Sequence, residues 1–195
     1  IYEEMLNPRE QLKMTIELLE PVKDKIILMS SGNHEYRTNR LTGNDPLDYV
    51  ATKLGIEKYY TDNSWFLILR FGNVKQIPNR KNIYTVYGTG GASISSTVRA
   101  LERMADVVAN ADLYIHSHTH KFVHFSRPIN IYNATANKIV KKDRMFVNTP
   151  SFVEYGGYAE MHGFPPSDTR PIQILIEFKN IKNTMKPFTS VSHIF

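Results

Sequence analysis

Residues 25–35 read Lys-Ile-Ile-Leu-Met-Ser-Ser-Gly-Asn-His-Glu, an apolar run that is followed directly by polar side chains. A short, continuous apolar run is typical of a strand that is buried on both faces, as in a sheet covered by helices. The run therefore predicts a strand over residues 25–30, with a polar loop at its carboxyl end. Because open α/β folds bind their ligands at the carboxyl ends of strands, this position favours a functional loop.

Local signals predict three helices and three further strands. Asn7-Pro8 and Asp45-Pro46 each combine a capping residue with proline at the first helical position, and Gly55 ends the second helix. The inward-facing positions of these two helices are Leu12, Ile16, Leu19, Leu47, Val50, Ala51 and Leu54. Apolar spacing predicts a third helix over residues 96–109 and strands over 65–71, 83–87 and 113–115.

Residues 130–195 contain strand-like segments and little helix, which predicts a second sheet packed against the first. The predicted fold class is α/β (α+β), a two-sheet β-sandwich flanked by helices. The length of 195 residues predicts one domain over residues 1–195.

Composition excludes several classes of protein. With 42% hydrophobic and 22% charged residues, the chain is typical of globular proteins and unlike disordered ones. Its apolar runs are shorter than the roughly 20 residues of a membrane helix, and no signal-peptide pattern opens it, so we expect a cytoplasmic protein without a membrane partner. The absence of cysteine excludes disulfides and thiolate metal sites. The net charge of +5 favours anionic partners in a general way.

A second polar segment, His116-Ser117-His118-Thr119-His120, follows the strand predicted at residues 113–115. In an extended segment the three imidazoles would point the same way. Imidazole is the commonest neutral metal ligand, so this spacing favours a metal site, with ordinary surface or core histidines as the alternative.

Asn33 and His34 offer an amide oxygen that can ligate a hard ion and an imidazole that can act as a general acid. An ordinary Gly-Asn turn is the alternative.

The two segments together, GNHE after one strand and HSHTH after another, resemble the calcineurin-like metallophosphoesterase superfamily. Its motifs run Asp-x-His, Gly-Asp, Gly-Asn-His-Glu or Asp, a lone His, and Gly-His-x-His. The YGTGGAS loop at residues 87–93 and the VNTPSF segment at 147–152, predicted as a strand, are similar to its bacterial and phage-type members. The resemblance covers residues 25–178.

The resemblance implies a hydrolase that cleaves phosphomono- or phosphodiesters with two divalent ions, of Mn, Zn or Fe. It implies that Asn33 and His118 are ligands of the second metal and His120 of the first, and that His34 is the catalytic proton donor. Glu35 and Arg37 would orient the loop or contact phosphate, with a surface ion pair as the alternative.

The sequence departs from the family pattern at three points. Neither Asp-x-His nor Gly-Asp occurs, although these motifs supply most ligands of the first metal and the bridging carboxylate, so we expect that the chain begins partway into the fold, with the N-terminal strands missing. Tyr87 stands at the position of the lone His, where His116 or His124 could substitute, and Ser117 stands at the glycine of Gly-His-x-His.

Three interpretations of function stay open. The first is a metal-dependent phosphoesterase. The second is a catalytically inactive fragment or scaffold of the same fold, either with or without a contact to nucleic acid. The third is a purely structural metal site built from the HSHTH histidines.

Overall fold

The computed structural model describes residues 6–71, 80–88, 91, 93–152, 154–181 and 184–194. Thr89, Gly90 and Ala92 of the YGTGGAS segment lie outside the described residues. The chain forms two compact units, Ile1–Trp65 and Phe66–Phe195. The expectation of a single domain stays a prediction. Within the described ranges, none of the helices is both long and apolar enough to cross a membrane.

The first unit contains the helices α1 (Pro8–Leu19), α2 (Asn33–Thr42) and α3 (Pro46–Leu54). The predicted starts of α1 and α3 are confirmed. The Asn7 side chain accepts a hydrogen bond from the Glu10 N–H at 3.0 Å, and the Glu10 carboxylate accepts one from the Asn7 N–H at 2.9 Å. Asp45 caps α3, and Gly55 ends it with a φ of 71°. The predicted inward face of α3 is largely confirmed, since Val50, Ala51 and Leu54 are buried and Leu47 is half-buried.

The strand predicted over residues 25–30 is wrong in length and in burial. Glu20–Lys25 forms a 3₁₀ helix, because Pro21 has no N–H to continue the α-helical hydrogen bonds, and the Ile26 N–H donates to Lys23 O at 3.1 Å. Strand β1 is limited to Met29–Ser30 and pairs in parallel with β2 (Tyr60–Thr61) in a two-stranded sheet. Helix α2 follows it where the sequence predicted a loop.

The second unit is built on a five-stranded sheet in the order β3-β4-β5-β7-β6. Its strands are β3 (Trp65–Arg70), which begins at the boundary between the units, β4 (Arg80–Val86), β5 (Leu113–His116), β6 (Val123–Asn133) and β7 (Lys138–Asn148). β4, β5 and β7 run parallel, and β6 runs antiparallel to β7. The strands predicted at residues 65–71, 83–87 and 113–115 are therefore confirmed. The VNTPSF strand is wrong beyond Asn148, where β7 ends.

Different elements cover the two faces of this sheet. Helix α4 (Ile94–Val107) lies on one face, in a cluster with Tyr84, Tyr114 and Phe146. The short helix α5 (Gly157–Met161) precedes a hairpin of β8 (Ile172–Ile181) and β9 (Thr184–His193). The hairpin packs on the other face, in a cluster with Ile83, Leu113 and Val147. The α/β class, with a mixed sheet and helices, is confirmed.

Substitution of Leu101 tests the core on the α4 face. Leu101 is 0% exposed, whereas Val107 on the same helix is 72% exposed. We expect Leu101→Ala to lower the free energy of unfolding by about 2–5 kcal/mol, because the smaller side chain leaves a cavity and loses apolar contacts. Val107→Ala should change it by less than about 0.5 kcal/mol. Urea unfolding of the two variants checks this, and similar losses in both would contradict the assignment of the core.

Candidate functional site

The GNHE segment forms the start of helix α2 in the first unit. Gly32 is the capping residue, and Asn33 and His34 are the first two residues of the helix. The imidazole of His34 and the guanidinium of Arg37 are exposed, and Asn33 is half-buried. Residues three apart on a helix lie on the same side, so His34 and Arg37 share an exposed face. The alternative of an ordinary turn at Gly32-Asn33 is wrong, because a ten-residue helix begins there.

Glu35 has a defined structural task. Its carboxylate accepts a hydrogen bond from the Gly32 N–H at 2.9 Å, which satisfies one of the backbone donors that a helix start leaves open. The negative charge also lies close to the positive end of the helix dipole. Glu35 therefore helps to cap the start of helix α2, while the roles predicted for Glu35 and Arg37 at a phosphate site stay predictions.

A side-chain network that the sequence did not reveal fixes the residue before Gly32. One oxygen of the Asp45 carboxylate accepts from the N–H groups of Leu47 and Asp48 at 2.9 and 3.2 Å. The other accepts from the Tyr60 hydroxyl, and the Ser31 Oγ lies 2.6 Å from that hydroxyl. Burial, and then the hydrogen bond to Asp45, raise the pKa of the Tyr60 phenol above its ordinary value of 10.0.

The HSHTH segment lies where three parallel strands of the second unit end side by side. The register places Val86 of β4 opposite His116 of β5, and His116 opposite Asn148 of β7. His116 is 2% exposed and Asn148 is 0% exposed. The His116 Nδ1 lies 2.6 Å from the Asn148 Oδ1. A buried polar pair of this kind stabilises the fold only because each member satisfies the other.

Gly88 closes over the other side of the His116 ring. A Cβ atom at Gly88 would lie 1.9 Å from the His116 Nε2, and the Gly88 φ of 81° is a conformation that favours glycine. His116 is therefore a buried core residue at the carboxyl end of β5. His124, on β6, is exposed.

His118 and His120 lie in a bent loop, so the expectation of three imidazoles along one side of an extended segment is wrong. Strand β5 ends at His116, and His118 and His120 have φ angles of 81° and 58°. Non-glycine residues adopt this left-handed conformation in only a few per cent of cases, at a cost of about 1–3 kcal/mol each. Neighbouring structure must therefore impose it.

Each of the two histidines contacts a hydroxyl through its Nδ1 atom. The His118 Nδ1 lies 3.3 Å from the Tyr87 Oη, and the two rings meet edge to face with centroids 5.3 Å apart. The His120 Nδ1 lies 3.1 Å from the Oγ of Ser151, which is 6% exposed. In metal sites, a hydrogen-bond partner at one ring nitrogen orients the imidazole so that the other nitrogen faces the metal.

The structure thus brings His118 into contact with Tyr87 and His120 into contact with Ser151 in the second unit. Asn33, His34, Glu35 and Arg37 lie on one helix of the first unit. In the part of the chain that the structure describes, no three His, Cys, Asp or Glu side chains form a group that could hold a metal ion. The roles of these residues stay predictions. Sequence reasoning missed Asn148, Ser151 and the contact between Asp45 and Tyr60, because each acts through a partner distant in sequence.

Comparison with known proteins finds no matching family model, no matching curated protein and no matching solved structure.

The Gly88→Ala variant tests the close approach to His116. Gly163 has a similar φ of 65°, but a methyl group added there would meet no atom within 4 Å, so Gly163→Ala measures the backbone cost alone. We expect Gly88→Ala to lower the free energy of unfolding by about 1–3 kcal/mol more than Gly163→Ala, because the added methyl group overlaps the ring. Urea unfolding checks this, and equal losses would contradict it.

The Tyr60→Phe variant tests the network in the first unit, with Tyr59→Phe as its control. Loss of a hydrogen bond to a charged group should lower the free energy of unfolding by about 1–3 kcal/mol. Because folding raises the pKa of the Tyr60 phenol, its contribution is present below pH 10.0 and falls as the pH rises above that value.

The free energy of unfolding of the wild type, Tyr60→Phe and Tyr59→Phe, measured between roughly pH 8 and pH 11, checks both effects. This range brackets the ordinary pKa of a phenol. The loss of stability above the ordinary phenol value should be smaller in Tyr60→Phe than in the wild type. If the free energy of unfolding falls with pH above pH 10.0 as steeply in Tyr60→Phe as in the wild type, the raised pKa of Tyr60 is contradicted.

Proposed function

We propose that this protein is a metal-dependent phosphoesterase of the calcineurin-like metallophosphoesterase type, acting on phosphomono- or phosphodiesters. The observation that carries the proposal is the left-handed backbone of His118 and His120, at 81° and 58°, in the loop at the carboxyl end of β5. Strain of this kind in non-glycine residues is typical of functional sites. The two left-handed histidines are separated by one residue, and each has a hydroxyl at its Nδ1 atom.

The donors in this loop suit a divalent ion in their chemistry. Neutral imidazole is a good ligand for Mn, Zn and Fe, and in the proposed binuclear centre His118 would ligate the second ion and His120 the first. A bound divalent ion supplies Lewis-acid polarisation of phosphoryl oxygens. Asn33, whose amide is half-buried at the first position of α2, stays a predicted oxygen ligand.

His34 and Arg37 have the exposure that the proposed chemistry needs. An imidazole on the exposed face of α2 can donate a proton to the leaving oxygen of a phosphate ester. The guanidinium of Arg37, on the same side of the helix, can form paired hydrogen bonds with phosphate oxygens. The hydrogen bond from Gly32 to Glu35 keeps the start of this helix in place.

The fold of the second unit supports the same proposal. Parallel strands β4, β5 and β7 end in register, and the HSHTH loop leaves from the middle strand of the three. The hairpin of β8 and β9 covers one face of this sheet, and helix α4 covers the other. Loops at the carboxyl ends of parallel strands are the usual place for a ligand in such sheets.

Substitution of the histidines one at a time tests the proposal. We expect His34→Ala to lower the turnover of p-nitrophenyl phosphate or its diester with Mn²⁺ by about 100-fold or more, as for the loss of a general acid, without lowering bound Mn²⁺. His118→Ala and His120→Ala should lower bound Mn²⁺, measured by elemental analysis after desalting. His162→Ala, which replaces an exposed histidine just after α5, is the control and should change neither quantity.

The outcomes separate the alternatives. Equal loss of turnover and metal in His34→Ala would contradict its role as proton donor. Binding of Mn²⁺ without any turnover would favour the inactive scaffold. Binding of nucleic acid that weakens steeply with salt and ignores metal would favour the nucleic-acid-contacting form of that scaffold.

A further inference from the structure

The Asn148 side chain, at the last residue of β7, makes three contacts in the core of the second unit. Its Oδ1 lies 2.6 Å from the His116 Nδ1, and its Nδ2 donates to Lys121 O at 2.6 Å and to Thr149 O at 3.1 Å. The residue is 0% exposed, so these contacts replace all of its water contacts. These contacts satisfy the oxygen acceptor of the amide and both of its N–H donors.

The direction of each bond follows from the chemistry of the partners. Carbonyl oxygens only accept, so the Nδ2 group must face Lys121 O and Thr149 O. The Oδ1 atom therefore faces His116 and accepts from its Nδ1, which fixes that ring as the Nδ1–H form. Asn148 cannot be turned around without losing the hydrogen bonds to both carbonyl oxygens.

One side chain thus ties both ends of the HSHTH loop. Asn148 holds His116 at the start of the loop and the carbonyl of Lys121 at its end. Because His116 and Lys121 both bond to the same amide, the chain between them must turn back on itself. The left-handed backbone of His118 and His120 makes this turn.

Further bonds support the same loop. Thr149 N donates to His116 O at 2.9 Å, and the Ser117 and Thr149 hydroxyls are 3.0 Å apart. The Thr119 hydroxyl lies 2.9 Å from that of Thr97 on α4. These bonds connect the loop to its surroundings, and Asn148 bonds to both of its ends through one side chain.

We propose that Asn148 is a positioning residue, which sets the left-handed backbone of His118 and His120 and thereby the affinity of this loop for a divalent ion. The second half of this inference rests on the proposed function. Residues that orient metal ligands without touching the metal typically contribute about 10–100-fold in metal affinity.

The variant Asn148→Ala tests the inference, with Val147→Ala as a matched control. Val147 is also 0% exposed and precedes Asn148 on β7, but it packs in the cluster with Ile83 and Leu113 on the opposite face. Both variants should lower the Tm. Only Asn148→Ala should raise the Kd for Mn²⁺, by about 10–100-fold. In NMR spectra, only Asn148→Ala should move the Cα and Cβ shifts of His118 and His120 away from values typical of left-handed backbone.

If Asn148→Ala does not fold, Asn148→Asp replaces it, since aspartate keeps the shape and the acceptor for His116 but lacks the donors to Lys121 O and Thr149 O. The same changes are expected. An unchanged Kd together with unchanged shifts at His118 and His120, or equal changes in Val147→Ala, would overturn the positioning role. If the wild type binds no Mn²⁺, the proposed function fails, and the NMR shifts alone then decide whether Asn148 sets the backbone.

Discussion

The hydrogen bond between the His116 ring and the Asn148 amide is the constraint on which the candidate site of the second unit depends. It joins the last residues of two adjacent parallel strands at 2.6 Å, at a point that is almost inaccessible to water. Separating the two strand ends would leave two buried polar groups without a partner and would destabilise the fold, so this bond holds the ends of β5 and β7 together. Gly88 supplies the space that the ring needs, and the amide of Asn148 then determines where the HSHTH loop returns.

The first unit uses the same principle with a carboxylate. Asp45 caps α3 with one oxygen and contacts Tyr60 with the other, and Ser31 joins that contact immediately before Gly32 and α2. The carboxylate thus connects a helix start, a strand end and the beginning of the GNHE segment. The polar side chains after β1, which follow such a short strand, are held by this network and by Glu35 rather than by an extensive sheet.

Features that depend on neighbouring residues were predictable from the sequence, and features that depend on distant ones were not. Caps such as Asn7 and Asp45 and the glycine that ends α3 act within one helical turn, so their patterns predicted the helices. The run at residues 25–30 failed because strand length depends on a partner strand, and β2 offers only Tyr60 and Thr61. The φ angles of His118 and His120 depend on Asn148, 28 or more residues away in the chain, so spacing alone suggested an extended segment.

The most direct test of the central claim is an anomalous difference map from crystals of the whole chain grown with Zn²⁺. We expect a peak about 2.0–2.1 Å from a ring nitrogen of His118 or His120, the usual Zn–N distance, with both residues in left-handed backbone. We also expect that His116 has no zinc within this distance, because its ring lies between Asn148 and Gly88. A map without a peak at His118 or His120, or with zinc bound to His116 instead, would contradict the account.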